Sequence, residues 1–268
     1  MSTVMLDTVP RASRSPLWRA YLAEIKFEFL KVSRMPAYVI PTLAFPNLFY
    51  LMFGILLEGK QSPGALGMAT YLMASYGAFG VMAAALFGFA VGVSSERGYG
   101  WLQVKRASPM PPHAYLIAKL AMSMAFGAIL VAMLMVLGVT LGGVRLAPGT
   151  VLQLLAILVA GMLPFAAMGL WLGCRASPAA APVIANAICL PMGFLSGVWL
   201  PLQFLPPAVQ HVAPWLPLYH LSQLANHAVG APSAGPAWQH VGALGACTLV
   251  FLALALRSFT RDETVTYG

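Results

Sequence analysis

The sequence predicts an all-α membrane protein: six transmembrane helices, an N-terminal amphipathic interfacial helix, and a re-entrant outer hairpin before the last span. Composition and patterning carry this prediction. Hydrophobic residues make up 60% of the 268 positions and charged residues only 8%. A soluble domain of this length needs more polar surface to cover its core. Uncharged runs also recur at the length a bilayer demands, about 20 residues at 1.5 Å rise each. The expected organisation is a cytoplasmic arm over residues 1–36 and one six-span domain over 37–268.

The N-terminal arm holds Arg11, Arg14, Arg19, Lys26, Lys31 and Arg34 with no apolar core among them, so no cleavable signal peptide is evident. Trp18, Tyr21, Leu22, Ile25, Phe29 and Val32 recur at helical spacing along one face, with Arg19, Glu24, Lys26 and Lys31 off it. A basic amphipathic helix with a Trp, next to a span, suits the cytoplasmic interface. A helix docked on a partner has the same pattern.

The spans are expected at residues 37–57, 69–93, 114–140, 150–173, 179–200 and 238–256. With sides alternating, thirteen of the fifteen Lys and Arg fall on one face, leaving Lys60 and Arg145 on the other. The positive-inside rule then places both termini and the loop 94–113 in the cytoplasm. The net charge of +8 reports orientation and gives no reason to expect nucleic acid.

Away from their ends the spans contain no Asp, Glu, Lys or Arg, which disfavours ion-coupled transport, and no carbonyl filter or polar pore lining suggests a channel. No phosphate-loop motif occurs, and no carboxylate pair or serine with a partner base suggests catalysis. Cys174, Cys189 and Cys247 are scattered and read as small apolar fillers. Four G-x-x-x-G spacings, at Gly88/Gly92, Gly138/Gly142, Gly169/Gly173 and Gly193/Gly197, are weak pointers to close helix contacts among 25 glycines.

Residues 201–237 carry no charge, and Pro206, Pro207, Pro214 and Pro217 forbid one continuous helix. Trp199, Phe204, Trp215 and Tyr219 are interface residues, so two short helices, near 206–212 and 217–229, are expected in the re-entrant outer hairpin. His220, Gln223 and His227 share a face of the second. A metal site there, with His211 as third ligand, lacks thiol or carboxylate donors, so no metal is expected. An outer vestibule suits these groups better.

The loop between the second and third spans reads "SSERGYGWLQVKRASPMPPHAYLIAKL". Its Glu96-Arg97-Gly98, Trp101-Leu102 and the following basic, Ser-Pro and Tyr-Leu-x-x-Lys steps resemble the cytoplasmic element of ABC-2-type exporter permeases. The likeness extends over nearly the whole chain and is nearest the drug and lipo-oligosaccharide exporter branch. Gly98 and Gly100 compete for the glycine position of the family pattern.

The resemblance implies a permease subunit of an ATP-binding-cassette exporter for a hydrophobic or amphipathic substrate (drug, lipid or lipo-oligosaccharide). It also implies a homodimer in the bacterial inner membrane, each copy docked on a separate ABC ATPase subunit. ATP and magnesium would sit on that partner; this chain would bind no cofactor and have no ATPase site of its own. Residues 96–107 would be the ATPase-coupling helix, with Trp101, Leu102 and Val104 as apolar anchors. Glu96, Arg97, Lys105 and Arg106 would form its charged rim, and Pro109, Pro111 and Pro112 would stop it. Candidate pathway or outer-gate residues are Asn47, Tyr50, Asn186, Tyr219, His220 and Gln223, with helix-to-helix hydrogen bonds an equal reading for the two asparagines. The rival reading is a non-transporting intramembrane scaffold or assembly subunit.

Overall fold

A computed structural model of the chain describes residues 17–56, 67–102, 104 and 112–266, and no strand occurs among them. The principal helices are α1 (Leu17–Ser33), α2 (Pro36–Phe49, continued by a π-helical segment Tyr50–Leu56), α3 (Met68–Gly98) and α4 (Pro112–Thr140). They continue with α5 (Pro148–Ala160), α6 (Leu163–Arg175), α7 (Ala180–Leu195), α8 (Pro207–Val212), α9 (Pro217–Ala228) and α10 (Ala237–Thr266).

The core is organised around α3. Its sequence is apolar or small on every side, as suits a helix surrounded by others, and it is buried along most of its length against α2, α4, α6, α7 and α9. The α3–α6 contact is the most extensive, and glycine is the reason. A Cβ on Gly169 would lie 2.6 Å from the Leu86 carbonyl oxygen, and one on Gly173 would lie 2.8 Å from Val93 Cβ. The other G-x-x-x-G pairs also mark close approaches: Gly88/Gly92 to Ser123 and Lys119, Gly138/Gly142 to the Tyr50 hydroxyl, Gly193/Gly197 to Phe79 and Leu202. A spacing common enough to arise by chance here marks a helix contact at all four places.

Among the described residues, five helices are long and apolar enough to cross a membrane: Tyr38–Leu56, Met68–Gly98, His113–Thr140, Pro148–Arg175 and Ala237–Ser258. The protein is a multi-pass membrane protein. The fourth of these is broken where Gly161 caps α5 and Pro164 opens α6. The apolar run expected as the fifth of six spans, 179–200, yields only the 16-residue α7. It stops because Gly197 takes a left-handed conformation (φ 73°), turning the chain back over Leu202.

Residues 201–237 fold into the two expected short helices, α8 and α9, separated by a short 3-10 turn, Ala213–Trp215. Helix α9 is deeply packed, burying Leu218, Leu221, Leu224 and Ala225 against α3, α5 and α10. Leu221 fills the notch left by Gly161 at the α5–α6 break.

Helix α1 docks on α4. Phe29 stacks on Phe126 with ring centroids 5.3 Å apart, and Tyr21 packs on His113 at 5.8 Å. Val32 joins Met122 and Phe126 in a small separate core. Trp18, Leu22 and Phe27 remain exposed after docking.

Candidate functional site

The C-terminal end of α3 carries the sequence-predicted element. In the apolar stripe by which α1 docks, Glu28 is an acid at the interface, 3% exposed. Lys119, two turns into α4, is completely buried, and Glu96, near the end of α3, is 8% exposed. The three meet. Lys119 Nζ donates to Glu28 at 2.6 Å and to Glu96 at 3.3 Å. Lys31 Nζ donates to Glu28 at 2.7 Å and also to Glu96. Two cations and two carboxylates thus form a neutral cluster joining α1, α3 and α4. Isolated buried charges are prohibitive, whereas a mutually paired set with good geometry is tolerated.

Gly92 gives the cluster its space: a Cβ there would lie 2.9 Å from Lys119 Nζ. Tyr115 lies against the ammonium, with Lys119 Nζ 5.0 Å from its ring centroid. A cavity of about 210 Å³ opens beside the cluster, lined by Glu28, Lys31, Tyr38, Glu96, Tyr99 and Trp101.

Next along the chain, Arg97 turns toward α6. Its guanidinium donates to the carbonyls of Cys174 and, at 3.0 Å, Ala176. These lie at the C-terminus of α6, where unpaired carbonyls and the helix dipole favour a cation. Gly98 packs directly against Pro178, while Gly100 has a left-handed φ of 76°. The two glycines that compete in the sequence pattern answer different needs. One allows close approach and the other makes the turn.

Beyond Gly100 the chain re-enters helical conformation, with Val104 N–H donating to the Gly100 carbonyl at 3.4 Å. Tyr99, Trp101 and Val104 are 72%, 60% and 62% exposed, whereas Leu102 turns inward onto the core. The structure therefore sorts this element differently from an anchor-and-rim surface. Glu96 and Arg97 are drawn inside, because each finds a complementary group on a neighbouring helix, and Leu102 is only partly available. Lys105, Arg106 and Pro109 lie outside the described residues.

The scan of known families decides what this element belongs to: the model for the ABC-2 type transporter matches residues 19–227. The chain belongs to the ABC-2 type transporter family. It is also 26% identical over 249 residues to a Bacillus subtilis (strain 168) protein described as "Putative transport permease YvfS", covering 93% of this chain and 99% of that one. The permease family implies a partner ATPase subunit for this chain.

The expected pathway residues of the permease are dispersed. Tyr50 is fully buried against Gly138 of α4 and Gly142 in the turn just after it. Asn47 is buried and donates through Nδ2 to the Leu43 carbonyl at 2.7 Å, one turn back on its own helix. Asn186 faces outward from α7, on an exposed stripe with Val183 and Leu190. Tyr219, His220 and Gln223 come together on α9. Gln223 Oε1 accepts from the Ala234 N–H at 2.7 Å, which ties down the loop after α9. His227 Nδ1 lies 3.4 Å from Ser233 Oγ.

Three participants escaped the sequence reading. Glu28 left a signal, since it falls on the apolar stripe at helical spacing from Tyr21, Ile25 and Val32. Lys119 was visible as the lysine of the Tyr-Leu-x-x-Lys step and as a span-end cation, but nothing in the sequence marked it as buried and paired. Asn226 had no pattern to mark it, yet it is fully buried and donates to Ser75 Oγ of α3 at 3.3 Å.

Proposed function

We propose that this chain is the transmembrane subunit of an ATP-binding-cassette exporter, moving a hydrophobic or amphipathic substrate (drug, lipid or lipo-oligosaccharide) and driven by ATP hydrolysis on a separate subunit. One observation carries the reading. The exposed apolar group Tyr99, Trp101 and Val104 projects from a helix end that buried ions clamp to two other helices and Arg97 fastens to a third. Force applied to that projection is delivered to α1, α3, α4 and α6 together. Lys105, Arg106 and Pro109 would complete the surface gripped by the ATPase.

In this reading six segments span the inner membrane of a bacterium, with both termini cytoplasmic. The 16-residue α7 and the turn after it supply the sixth crossing, and α8–α9 form the outer re-entrant hairpin. Two copies flank the substrate path. Asn186 supports this arrangement, because an amide on an exposed stripe of an apolar helix is better placed toward a partner copy or a polar path than toward hydrocarbon.

The test is purification of the tagged chain from native membranes in mild detergent, comparing wild type with a Trp101→Ala, Arg106→Glu double variant. A phosphate-loop ATPase retained by wild type and lost by the variant is the expected result. Abundant, folded wild-type chain that never brings an ATPase with it would overturn the exporter reading in favour of a scaffold subunit.

A further inference from the structure

About 30 Å along α3 from the ion cluster, at 1.5 Å per residue, two histidines meet. His220 of α9 and His240 of α10 place their Nδ1 atoms 2.8 Å apart. The other nitrogen of each ring is already committed. His220 Nε2 lies 2.9 Å from the Pro214 carbonyl oxygen, and His240 Nε2 lies 2.6 Å from the Ala234 carbonyl oxygen.

A carbonyl oxygen can only accept, so both Nε2 atoms must carry hydrogen. Two neutral rings have then used their only N–H groups, and two lone pairs face each other across 2.8 Å, a repulsive contact. One added proton converts it into a charge-assisted N–H···N hydrogen bond. A second proton would set two imidazolium N–H groups head to head and restore the repulsion.

We propose that His220 and His240 form a proton-binding site that holds one shared proton and thereby fastens hairpin helix α9 to the last span, α10.

The surroundings suit a single charge. The Tyr219 ring stands edge-on to both imidazoles, with centroids 5.4 Å from His220 and 6.0 Å from His240. On the α3 side Tyr71 interacts with Tyr219, and its hydroxyl donates to the Gly197 carbonyl at 3.3 Å. Helix α5 and residues 213–215 contribute no titratable side chain, and His227 turns away toward Ser233. The charged residues of α3 and α10 all lie in their C-terminal parts, from Glu96 and Arg97 in one and from Arg257 onward in the other. Two carbonyls and an aromatic neighbour accompany the proton, and half-buried His220 gives it a route to water. Loss of the proton as pH rises releases the latch, and gain of a second as pH falls does the same. Fastening is therefore strongest in the window between those two losses, whose limits belong to the pair and not to either ring alone.

The site is independent of the transport reading and is tested on the purified full chain in lipid nanodiscs. Isotope-labelled histidine nitrogens are titrated by NMR from about pH 5 to pH 9. His220 and His240 should titrate as a coupled pair in two steps separated by at least about one unit. In His240→Gln the His220 steps should collapse to one. Hydrogen exchange of the α9 amides, corrected for intrinsic rate, should accelerate about tenfold when the shared proton is lost. Independent single titrations of both rings in the wild-type protein would overturn the proposal, whether or not the variant folds. So would stoichiometric binding of zinc or copper(I) by these two rings, which would make them a ligand pair instead.

Discussion

At its C-terminal end α3 is held by four charges shared with α1 and α4 and by an arginine on the end of α6. At its N-terminal end it is held by neutral groups: Asn226 on Ser75, and Tyr71 and Tyr76 on the carbonyls of Gly197 and Trp199. The difference concerns strength and the cost of rupture. Parting a buried ion cluster strands charges, whereas parting neutral hydrogen bonds strands only dipoles. One end of the helix is built to move as a block with its neighbours. The other can release α9 at lower cost.

Lys119→Met tests the contrast most severely. It leaves Glu28 and Glu96 as two buried carboxylates with only half-exposed Lys31 between them. A loss of about 3–5 kcal/mol is expected, read as a large drop in folded yield and in thermal midpoint. Restoration by the Glu28→Met, Lys119→Met double variant would show that uncompensated charge, and not lost packing, is the cause. Arg97→Ala should cost less, about 1.5–3 kcal/mol, since it removes charge-assisted hydrogen bonds to carbonyls at a helix end. Thermal unfolding followed by hydrogen exchange should place that loss at the C-terminus of α6. Asn226→Ala should cost only about 1 kcal/mol, with faster exchange confined to α9. An Asn226 effect as large as that of Lys119 would erase the distinction between the two ends.

Acidity sharpens the comparison by a smaller margin. Burial pushes the Glu28 carboxyl upward, but Lys119 and Lys31 outweigh it and hold the group below its ordinary 4.5. Burial depresses the Lys31 ammonium, and Glu96 and Glu28 more than reverse this, raising it above its ordinary 10.5. The Glu28 contribution is complete above the ordinary carboxylate range and fades as pH falls through its lowered value. The Lys31 contribution is complete below 10.5 and fades only as pH rises through its raised value. As far as Glu28 and Lys31 set it, exchange at the α1 side of the cluster, corrected for intrinsic rate, should therefore stay flat from about pH 5 through neutrality. A change at the cluster near neutrality would break this assignment.

The helices were legible because membrane insertion is a one-dimensional constraint: length, apolarity and charge bias act on each segment separately. The short helices α8 and α9 were legible for a similar reason, since Pro207 and Pro217 open them at their first helical positions. The shortness of α7 was not, because Gly197 interrupts a run whose hydropathy continues through Leu200. At the end of α3 the residue types were visible, but their directions were not. Glu96 and Arg97 look the same in sequence whether they face a partner or a neighbouring helix.

The sequence by itself determined the apolar spans, the proline-broken segment, the charge-poor surface and the ABC-2 pattern, because each is a property of consecutive residues. Only the tertiary structure decided that Glu28, Lys31, Glu96 and Lys119 form one cluster and that His220 meets His240. The members of the first set lie up to 91 positions apart and those of the second 20 apart. Pairings at such separations are fixed by how helices pack, and helix packing is set by small contacts such as Gly169 on Leu86 that leave no periodic trace.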